Sequence, residues 1–153
     1  MWRTLKRLLL IFWAIWLTLV VAGNACDALK NLGLLPERWL YSSGNYQAIL
    51  EVLAPYNLPD SLAGLLFAGV ILWEAAVMIL FWWSGLTIQN FAARDGRRLL
   101  AITFAASLGL WGAFQIACEA LPSPLAYQLA ATHRLLFTET LATLLVVVLL
   151  PDE

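Results

Sequence analysis

Ser61 to Trp83 reads SLAGLLFAGVILWEAAVMILFWW, a run of 23 residues with one ionisable group, Glu74. About 20 apolar residues in a helix cross the roughly 30 Å hydrocarbon core of a bilayer, so the stretch predicts a transmembrane helix. An ionised carboxylate at the bilayer centre costs on the order of 3 kcal/mol, so Glu74 must face protein, water or a counter-charge. Glu74 is therefore the first candidate for function.

The rest of the chain has the same character. It is 62% hydrophobic and 12% charged, against about 25% charged in a soluble domain. Its mean hydropathy is +0.80. At 153 residues the chain predicts an all-α, four-helix transmembrane bundle forming a single domain, with the lipid bilayer as its main partner. A net charge of −1 supplies no clustered basic surface, which argues against a nucleic-acid partner.

Working outward from Glu74, the predicted spans are residues 5–23, 61–83, 99–118 and 128–150. The first follows the basic residues Arg3, Lys6 and Arg7, a flank it shares with signal peptides. The GNAC stretch from Gly23 to Cys26 hints at a lipoprotein cleavage site, but Gly23 stands where a bulky aliphatic residue belongs. Span one is accordingly read as retained. Asn24 to Asp60 is mixed in composition, punctuated by Pro36, Pro55 and Pro59, and predicts a structured outer loop between helices 1 and 2. Within it NYQAILEVLA, Asn45 to Ala54, predicts a short interfacial helix capped by Asn45 and stopped by Pro55. Trp39, Tyr41, Tyr46 and Tyr56 suit the membrane interface, and Trp2, Trp82 and Trp83 read as anchors at span ends. A turn is expected at Asp95-Gly96, and Pro122 and Pro124 separate spans three and four.

Basic residues set the expected orientation. Arg3, Lys6, Arg7, Arg94, Arg97 and Arg98 fall on one side; Lys30, Arg38 and Arg134 fall on the other. The excess of positive charge predicts a multi-pass protein with both termini in the cytoplasm and the long loop outside.

Helical stepping of about 100° per residue places Ala101, Ala105, Gly112, Gln115 and Glu119 along one side of span three. Ser61, Gly64, Ala68 and Ala75 form a similar stripe in span two, with Glu74 at its edge, and Thr132, Glu139 and Thr143 group in span four. Such stripes of small and polar residues are how membrane helices pack, so they predict the helix contacts. If the first helix continues past Ala22, Asn24, Asp27 and Asn31 share a face. Near the outer boundary Asn24, Asp27, His133 and Arg134 form a polar cluster, in which Arg134 can pair with Glu119 or Asp27.

Glu74 and Glu139 lie deeper, roughly 14 Å and 18 Å from the cytoplasmic ends of their spans at 1.5 Å per residue. No basic residue shares their depth. Two close carboxylates cannot both stay ionised, which is the chemistry of a proton or cation relay. The alternative is structural: each acid donates a hydrogen bond within the bundle or to a partner subunit. Cys26 and Cys118 fall at the outer ends of spans one and three and are either a disulfide or two free thiols. With no C-x-x-C, a single histidine and no zinc spacing, no metal site, cofactor or catalytic set is expected.

Asn24 with Asp27, WLYSSGN from Trp39 to Asn45, LWE from Leu72 to Glu74, and GAFQIACE from Gly112 to Glu119 follow one another along the chain. In that order they resemble a bacterial family of uncharacterised, predicted small integral membrane proteins with a four-span domain of unknown function. The resemblance covers nearly the whole chain and implies Asn24, Asp27, Glu74 and Glu119 as a shared polar set, without an assigned activity. The functional expectation is a non-enzymatic accessory or assembly protein that docks a membrane partner or a second copy. The alternative is a small ion-translocating protein using Glu74 and Glu139.

Overall fold

The computed structural model describes residues 1–152, and every regular element in them is helical. The helices are α1 (Trp2–Asn31), α2 (Asn45–Leu53), α3 (Asp60–Thr87), α4 (Arg94–Ala120) and α5 (Pro124–Leu149), with a 3₁₀ turn at Ala54–Tyr56 after α2. The four long helices are apolar and long enough to cross a membrane, as their hydropathy predicts. They form an antiparallel bundle in which α1 packs chiefly on α3 and α4 on α5, while α3 joins the two pairs. The short α2 lies across one end.

Three boundaries differ from expectation. α1 runs on to Asn31, so Asn24 and Asp27 belong to a helix rather than a loop. It stops because Gly33, at φ 71°, takes a left-handed conformation open to glycine. The amides of Gly33 and Leu34 then bond back to the carbonyls of Lys30 and Leu29, the arrangement that closes a helix C-terminus. α4 starts at Arg94, and Asp95-Gly96 sits inside its first turn. The turn itself is built by Asn90, whose Oδ1 accepts from the amides of Ala92 and Ala93 at 2.9 and 3.2 Å. A Cβ on Gly96 would come 2.4 Å from the Asn90 carbonyl, so glycine alone allows the connection to fold this tightly. α5 starts at Pro124, its N-terminus capped by Ser123 Oγ accepting from the Ala126 amide at 3.0 Å.

The packing faces also differ. Ser61 and Ala68 of the span-two stripe are exposed, as are Ala101, Ala105 and Glu119 of the span-three stripe. The core uses large residues instead: Leu10, Trp13, Leu17, Val77, Phe81, Phe104, Leu110 and Trp111. Aromatic rings carry it across the bundle. Trp13 stacks on Phe81 at 6.1 Å, Phe81 meets Phe104 edge-on at 5.5 Å, and Trp16 meets Trp111 at 5.9 Å. Between the long helices, glycine allows close approach at Gly85 of α3 against Ile11 and Leu10 of α1, and at Gly109 of α4 against Trp73 of α3.

Three tryptophans, one of them Trp82, which the sequence marks as an anchor, tie helices together. Trp13 Nε1 donates to Thr143 Oγ1 on α5 at 3.0 Å, Trp73 Nε1 to the Ala106 carbonyl on α4 at 3.1 Å, and Trp82 Nε1 to Thr18 Oγ1 on α1 at 3.0 Å. An indole in lipid has no water to bond, so a neighbouring helix supplies the acceptor.

The two ends of the bundle are built differently. At the closed end, Lys6 is 2% exposed, pairs with Asp152 at 2.5 Å and lies over the Phe91 ring. Arg3 Nε donates to the Asp152 carbonyl, and Arg7 donates to the Ile88 carbonyl at 2.9 Å. Ser84 and Thr103, both fully buried, share a hydrogen bond of 2.8 Å between α3 and α4. The opposite end, under α2, is hollow.

Candidate functional site

The hollow end starts from the C-terminal turns of α1. The 32–44 connection doubles back along them, with the Ser43 amide bonded to the Gly23 carbonyl and Tyr41 Oη donating to the Leu19 carbonyl at 2.8 Å. This return places Ser42, Ser43 and the first turn of α2 over Asp27. The Asp27 carboxylate accepts from Ser42 Oγ at 2.8 Å, Ser43 Oγ at 3.2 Å and the Tyr46 amide at 2.8 Å. A carboxylate from α1 thus satisfies an amide at the start of α2 and complements the positive end of its dipole. Asn45 was expected as the α2 cap; the cap position is Gly44, and no side chain there caps it.

The Asn45 side chain is turned inward instead. Its Nδ2 donates to Asn24 Oδ1 at 2.8 Å, and Asn24 Nδ2 donates to Glu74 Oε2 at 2.6 Å. Only one orientation of the Asn24 amide satisfies both contacts, so its two ends are assigned by its neighbours. Asn24 is 0% exposed and Glu74 3%. Glu74 stands at the midpoint of α3, so the chain Asn45–Asn24–Glu74 carries hydrogen bonding from the surface of α2 to mid-bundle.

Glu74 opens onto a cavity of about 400 Å³ between α2 and the four long helices. Its walls are largely apolar, among them Trp16, Phe67, Val70, Phe114, Leu129 and Leu136; Asn45, Cys118, Thr132 and His133 add polar atoms. His133 stacks on Phe114 at 4.6 Å, and its Nδ1 lies 3.7 Å from Cys118 Sγ. Trp111 also lines the cavity.

Among the polar residues singled out in the sequence, Asn24, Glu74, Cys118 and His133 are drawn into this end. Asp27 belongs to the neighbouring network around α2. The outer cluster therefore splits in two, because Arg134 faces away from α1 and pairs with Glu119 at 2.9 Å on the exposed side of α4 and α5. Gln115 borders that same outer depression, its Nε2 within 3.5 Å of the Trp111 carbonyl. Cys26 and Cys118 are both free, so no disulfide joins them. Glu139 is on the exposed face of α5, whereas Glu74 is enclosed; the two acids are not a pair.

Sequence reasoning missed Ser42, Ser43 and the inward role of Asn45, although all three lie in the WLYSSGN motif. It also missed Trp111, which nothing distinguishes from the other seven tryptophans. Among the described residues no group of three His, Cys, Asp or Glu could hold a metal ion. What the arrangement offers is a lipophilic chamber with a carboxylate in its wall. No family model, curated protein or solved structure matches the chain.

Proposed function

We propose that this chain is a non-enzymatic, multi-pass protein of a bacterial inner membrane that acts as an accessory or assembly partner of another membrane protein. It fits the small integral membrane proteins that its motifs resemble. The orientation that fits the basic residues has both termini in the cytoplasm and α2 on the outer face.

One observation carries the reading. Glu139 is exposed on α5, ten residues before Leu149, or roughly 15 Å from that helix end. Its carboxylate has no side-chain partner among the described residues. A carboxylate facing acyl chains at that depth costs several kcal/mol, which a neighbouring protein removes. α5 is also the span with the least buried surface. The partner that suits it is a transmembrane helix presenting a basic or hydrogen-bond-donating side chain at the same depth. The ion-translocating reading relied on Glu74 and Glu139 sharing a site, and it loses that support.

The test is purification of the tagged protein from its native membrane in mild detergent, alongside Glu139→Leu and Glu139→Gln. A stoichiometric membrane protein retained by wild type, weakened by Gln and lost with Leu is the expected result. A folded wild-type protein that comes out alone, or only with itself, overturns the reading.

A further inference from the structure

Glu74 is the acid that the cavity under α2 presents. It is 3% exposed and gives Oε2 to Asn24, while Oε1 has no partner among the described residues. The Ser107 and Thr140 hydroxyls are sealed in packing away from the cavity; Glu74 Oε1 is not sealed, and its residue lines the open space. No lysine or arginine shares that wall, and the His133 imidazole in it is stacked on Phe114. A buried carboxylate is costly until a proton or a cation neutralises it, and the Asn24 amide supplies neither.

The walls narrow what the neutralising group is. A bare metal ion needs several oxygen ligands, and among the described residues no group of three His, Cys, Asp or Glu could hold one. At about 400 Å³ the space lies within the roughly 300–1,000 Å³ of small-molecule sites. An organic ammonium brings an apolar body of its own, which covers Val70, Leu129 and Leu136, and the rings of Trp16, Phe67 and Phe114 favour a cation over an anion. An anionic head would meet the Glu74 carboxylate. An aminophospholipid would carry its phosphate into the same apolar wall, so the amine is a free one. Leu66 of α3 and Thr132 of α5 line the cavity and are also exposed, which connects it to the outer surface of the bundle.

We propose that this cavity binds a lipophilic amine in its protonated form, the ammonium N–H donating to Glu74 Oε1 while a single apolar body fills the space beside it. The site is independent of the docking surface on α5.

The probe is 12-bromododecan-1-amine, added to the full-length protein in phosphatidylcholine nanodiscs, with quenching of tryptophan emission by bromine as the readout. Trp16 and Trp111 line the cavity and report occupancy. The amine is expected to give a saturable one-site component at least about tenfold tighter than 12-bromododecan-1-ol or 1-bromododecane, the worth of one charge-assisted hydrogen bond. Glu74→Gln keeps the side chain's shape and a group for Asn24; it should remove the amine's advantage and leave the alkane unchanged. Val70→Phe fills the space one turn from Glu74 without removing the acid, and should abolish the saturable component for every probe while helicity is retained. Equal binding of amine, alcohol and alkane by the wild-type protein overturns recognition of the cation, as does an amine advantage that survives Glu74→Gln. Equal binding of 12-bromododecyltrimethylammonium, which has no N–H, overturns the hydrogen bond to Oε1. Displacement of the amine by phosphatidylethanolamine added to the nanodiscs overturns the free amine as occupant. Absence of any saturable component in the folded wild-type protein overturns the site itself.

Discussion

The closed and hollow ends of this bundle are made by the same four helices with similar composition, yet they use polarity in opposite ways. At the closed end charged and polar side chains are paired: Lys6 has Asp152 and the Phe91 face, Ser84 has Thr103, and Arg7 has the Ile88 carbonyl, while the buried Ser107 and Thr140 hydroxyls nearer mid-bundle have no partner among the described residues. Space between them is filled by stacked rings. At the hollow end α2 sits on a network that is matched on its outer side, around Asp27, and opens on its inner side, at Glu74, onto the cavity. A bundle this small is packed solid at one end and left hollow at the other.

The contrast should be visible in stability, measured by unfolding from mixed micelles. Phe104, 1% exposed and edge-on to Phe81, has the largest expected effect. Phe104→Ala should cost about 3–5 kcal/mol, whereas Phe67→Ala, which only enlarges an existing cavity, should cost less, about 2 kcal/mol. If the two cost the same, the ends are equally well packed and the comparison fails.

Next comes Asn24→Leu, which strands Glu74 and Asn45 together. A loss of about 2–3 kcal/mol is expected, with faster amide exchange in 45–53 than at the closed end. Unchanged exchange there would mean that α2 is held by Asp27 alone. Overpacking is a smaller and more pointed probe. Ala14, 0% exposed at the closed end, should lose about 1–3 kcal/mol as Ala14→Leu. Ala117→Leu, pointing into free volume, should change stability by less than about 0.5 kcal/mol or raise it. The least effect belongs to Arg134→Ala, since the Arg134–Glu119 pair is more than 60% exposed on both sides. It should cost under about 1 kcal/mol and less still at high salt.

The four spans were legible because hydropathy sums over some 20 residues and tolerates local error. Helix facing was not. In water the polar side of a helix marks its outside, but here the outside is also apolar, so a stripe such as Ala101, Ala105 and Gly112 carries no sign of whether it faces lipid or protein. The same degeneracy hid the difference between Glu74 and Glu139. Each is one acid in an apolar helix, and only tertiary packing encloses the first and leaves the second outside. Asn24 and Asp27 were recognisable as a helical pair, being three residues apart. Asn45 was read as a cap because nothing local reveals that Gly44, φ 73°, takes that place and frees the side chain to turn inward.

Lys6 and Asp152 are separated by 146 positions in the sequence, so translation delivers the cation long before its counter-charge. A lysine near the end of a first span can wait with its ammonium at the lipid headgroups while the other three helices insert. Its withdrawal into the bundle then waits on α5 and the Asp152 that follows it. Without α5 and the residues after it, Lys6 keeps no acidic partner and stays at the headgroups.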